Sequence, residues 1–91
     1  MLNGRYLIVL GGERYYLANT FKAWLLFERR TGRGMGDCAG RPEILRALLW
    51  ALLATEHREI TEAFVGRVAG AELQTLLRVA ETAIRNEFPA L

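Results

Sequence analysis

The sequence predicts an α+β fold: an N-terminal β-hairpin followed by about four α-helices, mostly helical overall. Three observations predict it. Arg5–Leu10 is aromatic and β-branched, and Gly11-Gly12 separates it from a second run of the same kind. From Phe21 onward, apolar residues recur at helical rather than alternating spacing. Strands and helices are therefore segregated along the chain, the mark of the α+β class.

The hairpin comes first. Arg5-Tyr6-Leu7-Ile8-Val9-Leu10 reads as a strand, and Glu13 to Ala18, with Tyr15, Tyr16 and Leu17, as its return. Glycine supplies the positive φ angles that a two-residue hairpin loop needs. With that loop length Ile8 faces Tyr15 and Tyr6 faces Leu17. A lone hairpin is marginal in water, so this one must lie on helices or gain another strand. Asn19-Thr20 then offers a side-chain oxygen to cap a helix from Phe21 to about Thr31. On that helix Phe21, Trp24, Leu25 and Glu28 share one face, and Ala23, Leu26 and Phe27 another. A helix apolar on two faces is either central in its core or makes a contact outside it.

Residues 32–41 form a Gly-rich connection, with four glycines between Gly32 and Gly40. It divides the chain into a hairpin-plus-helix part (1–31) and a helical part (42–91) of one small domain, 1–91. Pro42 suits the first turn of the next helix, where its missing N–H costs nothing. That helix, Glu43 to about Thr55, turns Leu45, Leu48, Leu49 and Leu52 inward. Ile44, Ala47, Trp50, Ala51 and Leu53 widen the stripe almost to the full circumference, so part of it is expected to meet a partner. Thr61 followed by Glu62 starts a third helix that stops near Ala69-Gly70. The fourth, Ala71 to about Phe88, is the most regularly amphipathic: Leu73, Leu76, Leu77, Ala80, Ile84 and Phe88 against Glu72, Arg78, Glu81 and Arg85.

A chain of 91 residues, 52% apolar and 24% charged, has room for one core and none for a cleft between domains. A structural or binding role is favoured. Up to Arg46 there are eight basic and four acidic residues; beyond it, four basic and six acidic. Arg29, Arg30, Arg33, Arg41 and Arg46 bracket the Gly-rich connection and could meet phosphate. The acidic C-terminal half argues against nucleic-acid binding, and solvated arginines are the simpler reading. The longest apolar run, Ile44 to Ala54, is eleven residues and contains Arg46, whereas a membrane span needs about 20. With no signal-peptide pattern at Met1–Arg5, no membrane association and a cytoplasmic location are expected.

The residues that carry chemistry are sparse. Cys38 is the one thiol and His57 the one imidazole, and neither has an evident orienting partner. No zinc site can be built from that pair without borrowed carboxylates. Glu56, Glu59 and Glu62 straddle a helix boundary and read as a solvated surface. The glycines at Gly34-Met35-Gly36 follow a helix, whereas nucleotide-binding loops follow a strand. No catalytic residue, metal or cofactor is expected, and the chain does not read as an enzyme.

One longer pattern carries more information. Tyr15-Tyr16-Leu17-Ala18-Asn19-Thr20-Phe21-Lys22-Ala23, continuing to Glu28-Arg29-Arg30-Thr31-Gly32, places an aromatic-and-alanine helix ending in Glu, two residues and Thr-Gly behind a short hairpin. A helix centred on Leu-Leu-Trp-Ala-Leu-Leu (Leu48–Leu53) follows, then a Thr-initiated helix at Ile60-Thr61-Glu62 and a long amphipathic helix. This order resembles the tail assembly chaperones of long-tailed phages, and the small tail-assembly proteins of prophages and gene transfer agents, over Arg5 to Phe88. The Gly-rich stretch at Arg33–Gly40 departs from that pattern. The resemblance implies a non-enzymatic factor that self-associates and coats the helical tape measure protein, with a possible contact to the tail tube protein. Trp24, Phe27, Trp50 and Leu53 are the candidate contact residues, since large apolar side chains dominate interface energy; core packing is the competing role for each. The alternative function is a small oligomeric structural or accessory module without a client.

Overall fold

The structure is a computed structural model that describes residues 3–34, 42–69, 73–85 and 87–89. Strand β1 (Asn3–Leu10) pairs antiparallel with β2 (Glu13–Thr20), and four helices follow: α1 (Phe21–Thr31), α2 (Pro42–Ala54), α3 (Glu62–Ala69) and α4 (Leu73–Ile84). The α+β assignment holds. So does the register, with Tyr6 opposite Leu17 and Ile8 opposite Tyr15. The turn is made by Gly11 and Gly12 at φ 59° and 83°, both in the region that L side chains avoid.

The hairpin turns one face inward. Ile8, Leu10 and Leu17 are buried, while Leu7 and Val9 between them are exposed. The alternation fails at the end of β2, where Leu17, Ala18 and Asn19 are all buried as the strand enters α1. Thr20 is the cap of α1: its hydroxyl accepts the N–H of Ala23 at 3.2 Å. Asn19 has a different task. Fully buried, it donates from Nδ2 to the carbonyl of Ala83 on α4 and accepts the indole N–H of Trp24 at 2.7 Å. One amide thus ties the end of the hairpin to α1 and α4. A buried polar group of this kind is tolerable because its partners replace the water it lost. Helix α1 stops at Gly32, which is left-handed and donates its N–H to the carbonyl of Glu28.

The centre of the core is α2. Ala47, Leu48, Leu49, Ala51, Leu52 and Leu53 are all buried, and the helix packs against β2, α1, α3 and α4. Most of the apolar girth of this helix is covered by its own chain, while Ile44, Leu45 and Trp50 stay half-buried. Burial on that scale needs neighbours on several sides, and sequence order alone does not reveal that the hairpin and three helices all converge here. Thr61 caps α3 by accepting the N–H of Phe64 at 3.1 Å. The expected stop at Gly70 and start at Ala71, and the connection from Met35 to Arg41, lie outside the described residues.

The fourth helix is shorter than its periodicity suggests. It ends at Ile84, and Glu87–Pro89 is not helical. Phe88 leaves the helical face and packs on Tyr6 of β1, with ring centroids 5.3 Å apart. Pro89 then accepts the N–H of Arg5 at 2.9 Å. This return is possible because Gly4 has no side chain: a Cβ there would lie 2.3 Å from the Phe88 carbonyl oxygen and 2.5 Å from its Cβ. Glu81 on α4 and Arg85 just beyond its end both stay exposed and make no ion pair among the described residues.

Candidate functional site

His57 is engaged structurally. It lies just beyond α2 and donates its own N–H to the carbonyl of Leu53. Its Nε2 accepts the N–H of Tyr16 at 3.0 Å, on the outer edge of β2. That geometry puts the ring proton on Nδ1, which faces the Glu59 carboxylate at 4.0 Å. The ring also meets Tyr15 edge-on, centroids 5.1 Å apart, and Tyr15 meets Phe64 of α3 in the same way. The imidazole therefore fastens the hairpin to the α2–α3 connection. Cys38, its conceivable chemical partner, lies outside the described residues. Among the described residues no three His, Cys, Asp or Glu side chains gather into a metal-binding group.

Two of the three glutamates read as a solvated cluster are paired. Glu56 meets Arg5 of β1 at 2.6 Å. Glu62, at the start of α3, holds Arg30 of α1, with Arg46 of α2 at 3.9 Å. Arg30 and Arg46 link α1 and α2 to the start of α3, and Arg5 links β1 to the α2–α3 connection. All three pairs are partly exposed, so they orient the elements more than they stabilise them.

The four candidate contact residues do not form one surface. Phe27 and Leu53 are at 0% exposure, inside the core, and have no outward face to offer a partner. This corrects the contact role expected for them: Phe27 sits on the side of α1 shared with Ala23, which faces the core, and Leu53 is enclosed because α2 is central. Trp24 and Trp50 are half-buried and pack against the core. Trp24 is further fixed by its bond to Asn19.

The exposed apolar groups lie elsewhere. Leu7 (48%), Val9 (50%) and Tyr16 (39%) share the outer face of the hairpin, and Phe21 (64%) and Leu25 (38%) share the outer face of α1. Both sets have a sequence signal. In β1, Leu7 and Val9 alternate with the buried Ile8 and Leu10; in α1, Phe21 and Leu25 are one turn apart and out of phase with Ala23 and Phe27. Beside the hairpin face runs an open groove of about 390 Å³ lined by Arg5, Tyr6, Leu7, Tyr16 and Pro89. Arg5 lies along it with its guanidinium carbon 6.0 Å from the centre of the Tyr16 ring. Among the described residues, no helix is long and apolar enough to cross a membrane.

Among the described residues this arrangement offers apolar contact area on the hairpin and on α1. No family model, curated protein or solved structure matches the chain.

Proposed function

We propose that the chain is a tail assembly chaperone: a non-enzymatic factor that covers a long helical client, of the tape measure kind, while a tail tube is built around it. The reading starts from the ordered resemblance between Arg5 and Phe88. The observation that carries it furthest is the outer face of α1, where Phe21 and Leu25 stay exposed although the chain has a complete core. Two large apolar side chains one helical turn apart match the spacing by which one helix recognises another. Large exposed apolar groups with no task inside the fold favour a partner-binding surface. Self-association and contact with a tail tube subunit belong to the same reading, and a small oligomeric accessory module is its alternative.

The test is to tag the chain, express it beside its neighbouring genes and identify what co-purifies. A very long helical protein or a tube subunit is the expected companion. Phe21→Asp with Leu25→Asp should remove it while leaving the thermal melt unchanged. Recovery of the chain alone, as a discrete oligomer, would replace the chaperone reading by the accessory-module one.

A further inference from the structure

The outer edge of β1 has unsatisfied strand chemistry. The N–H of Arg5 points away from β2, because it donates to Pro89. In an antiparallel pair, outward- and inward-pointing backbone groups alternate, so the N–H and C=O groups of Leu7 and Val9 point outward too. Tyr16, opposite Leu7, agrees: its N–H leaves the opposite edge of the hairpin toward His57. The β2 edge is thus covered by His57 at Tyr16, and the β1 edge by Pro89 at Arg5. Among the described residues nothing hydrogen-bonds the outward backbone groups of Leu7 and Val9.

We propose that this edge, from Leu7 to Val9, takes an extended peptide segment of a partner protein as an added strand, with alternating apolar side chains and an acidic group toward the turn. Three features define that occupant. Unpaired N–H and C=O groups at strand spacing are satisfied by another strand and not by a helix. The chain's own non-helical segment already meets the same edge by one hydrogen bond, from Arg5 to Pro89, and the groove runs from there as far as Leu7. The face that an added strand would extend is apolar at Leu7, Val9 and Tyr16 and carries no acidic residue; its charges are Arg5, which Glu56 already neutralises, and the exposed Arg14 opposite Val9. Arg14 therefore favours a carboxylate at that end. A second copy's β1 would bring no carboxylate to that end, since Arg5 is the one charged residue of Asn3–Leu10. The argument stands on the hairpin and is independent of the client contact assigned to α1.

The probe is a fluorescein-labelled ten-residue peptide of alternating valine and threonine with two glutamates at one end. Three counterparts accompany it: one with lysines in place of the glutamates, one N-methylated at alternate residues, and Val9→Pro as the protein variant. Proline at residue 9 removes an outward N–H that the hairpin does not use. The acidic peptide should bind by fluorescence anisotropy and slow hydrogen exchange at the amides of Leu7 and Val9. It should bind up to roughly five-fold more tightly than the lysine peptide, the upper range of an exposed ion pair. N-methylation and Val9→Pro should each abolish binding. If Val9→Pro fails to fold, the N-methylated peptide against the unaltered chain still decides. No binding by the acidic peptide, or binding indifferent to N-methylation, would overturn strand addition, and equal binding of the lysine peptide would overturn the acidic specificity. A concentration-dependent dimer that protects the same two amides without peptide would assign the edge to a second copy instead.

Discussion

Adding one methyl group at Gly4 tests how the chain closes on itself. In Gly4→Ala the new Cβ would meet the carbonyl oxygen, Cβ and carbonyl carbon of Phe88 at 2.3, 2.5 and 2.7 Å. Two of these are backbone atoms, so no rotamer change relieves the clash; the segment carrying Phe88 must move. Small-to-large changes in a packed site cost about 1–3 kcal/mol. Here the loss has a ceiling, because the segment can leave altogether. Leaving forfeits the burial of Phe88, about 1.5–3 kcal/mol for a side chain now only 8% exposed. It also forfeits the bond from Arg5 to Pro89, about 1 kcal/mol. The expected loss is therefore about 2–4 kcal/mol, and each kcal/mol lowers Tm by about 4–8 °C in a domain of this size. Urea unfolding of Gly4→Ala, Phe88→Ala and the double variant measures it. Since both changes release the same contact, their costs should be strongly sub-additive, with the double variant about as stable as the worse single one. A Gly4→Ala loss below about 0.5 kcal/mol, or costs that add within about 0.5 kcal/mol, would refute the docking of the C-terminal segment on β1.

Three further outcomes follow from the fold. Asn19→Ala strips a partner from both the Trp24 indole and the Ala83 carbonyl and should cost about 2–4 kcal/mol in denaturant melts; a loss under 1 kcal/mol would contradict the buried tie. Thr20→Ala and Thr61→Ala each remove a cap and should cost about 1 kcal/mol apiece, additively, because they act on different helices. Arg30→Ala breaks the pair with Glu62, whose side chains are 52% and 19% exposed. It should cost at most about 1 kcal/mol and less at high salt; a larger loss indifferent to salt would mean that the pair is an essential strut.

Local chemistry determined most of the elements. The two-glycine turn set the register of the hairpin, because a two-residue loop admits one pairing of the strands it joins. Thr20, Pro42 and Thr61 marked helix starts through hydrogen-bonding rules that operate within a single turn. The two faces of α1 were also legible as two faces. Which of them would be covered was not, and that choice depended on where α2 came to lie: it placed Ala23 and Phe27 inside and left Phe21 and Leu25 outside. The same long-range fact turned most of the wide apolar surface of α2 into core. Asn19 looked like a cap and became an inter-element tie, because its partners are 5 and 64 residues away in sequence. Helical periodicity ran on to Phe88, yet α4 stops at Ile84; Pro89 disfavours a helical Phe88, and Gly4, at the other end of the chain, leaves the room in which the Phe88 backbone docks. Periodicity and capping are short-range and can be read from sequence. Burial is decided by what else arrives at a surface, and for α1, α2 and the C-terminal segment only the tertiary structure fixed that.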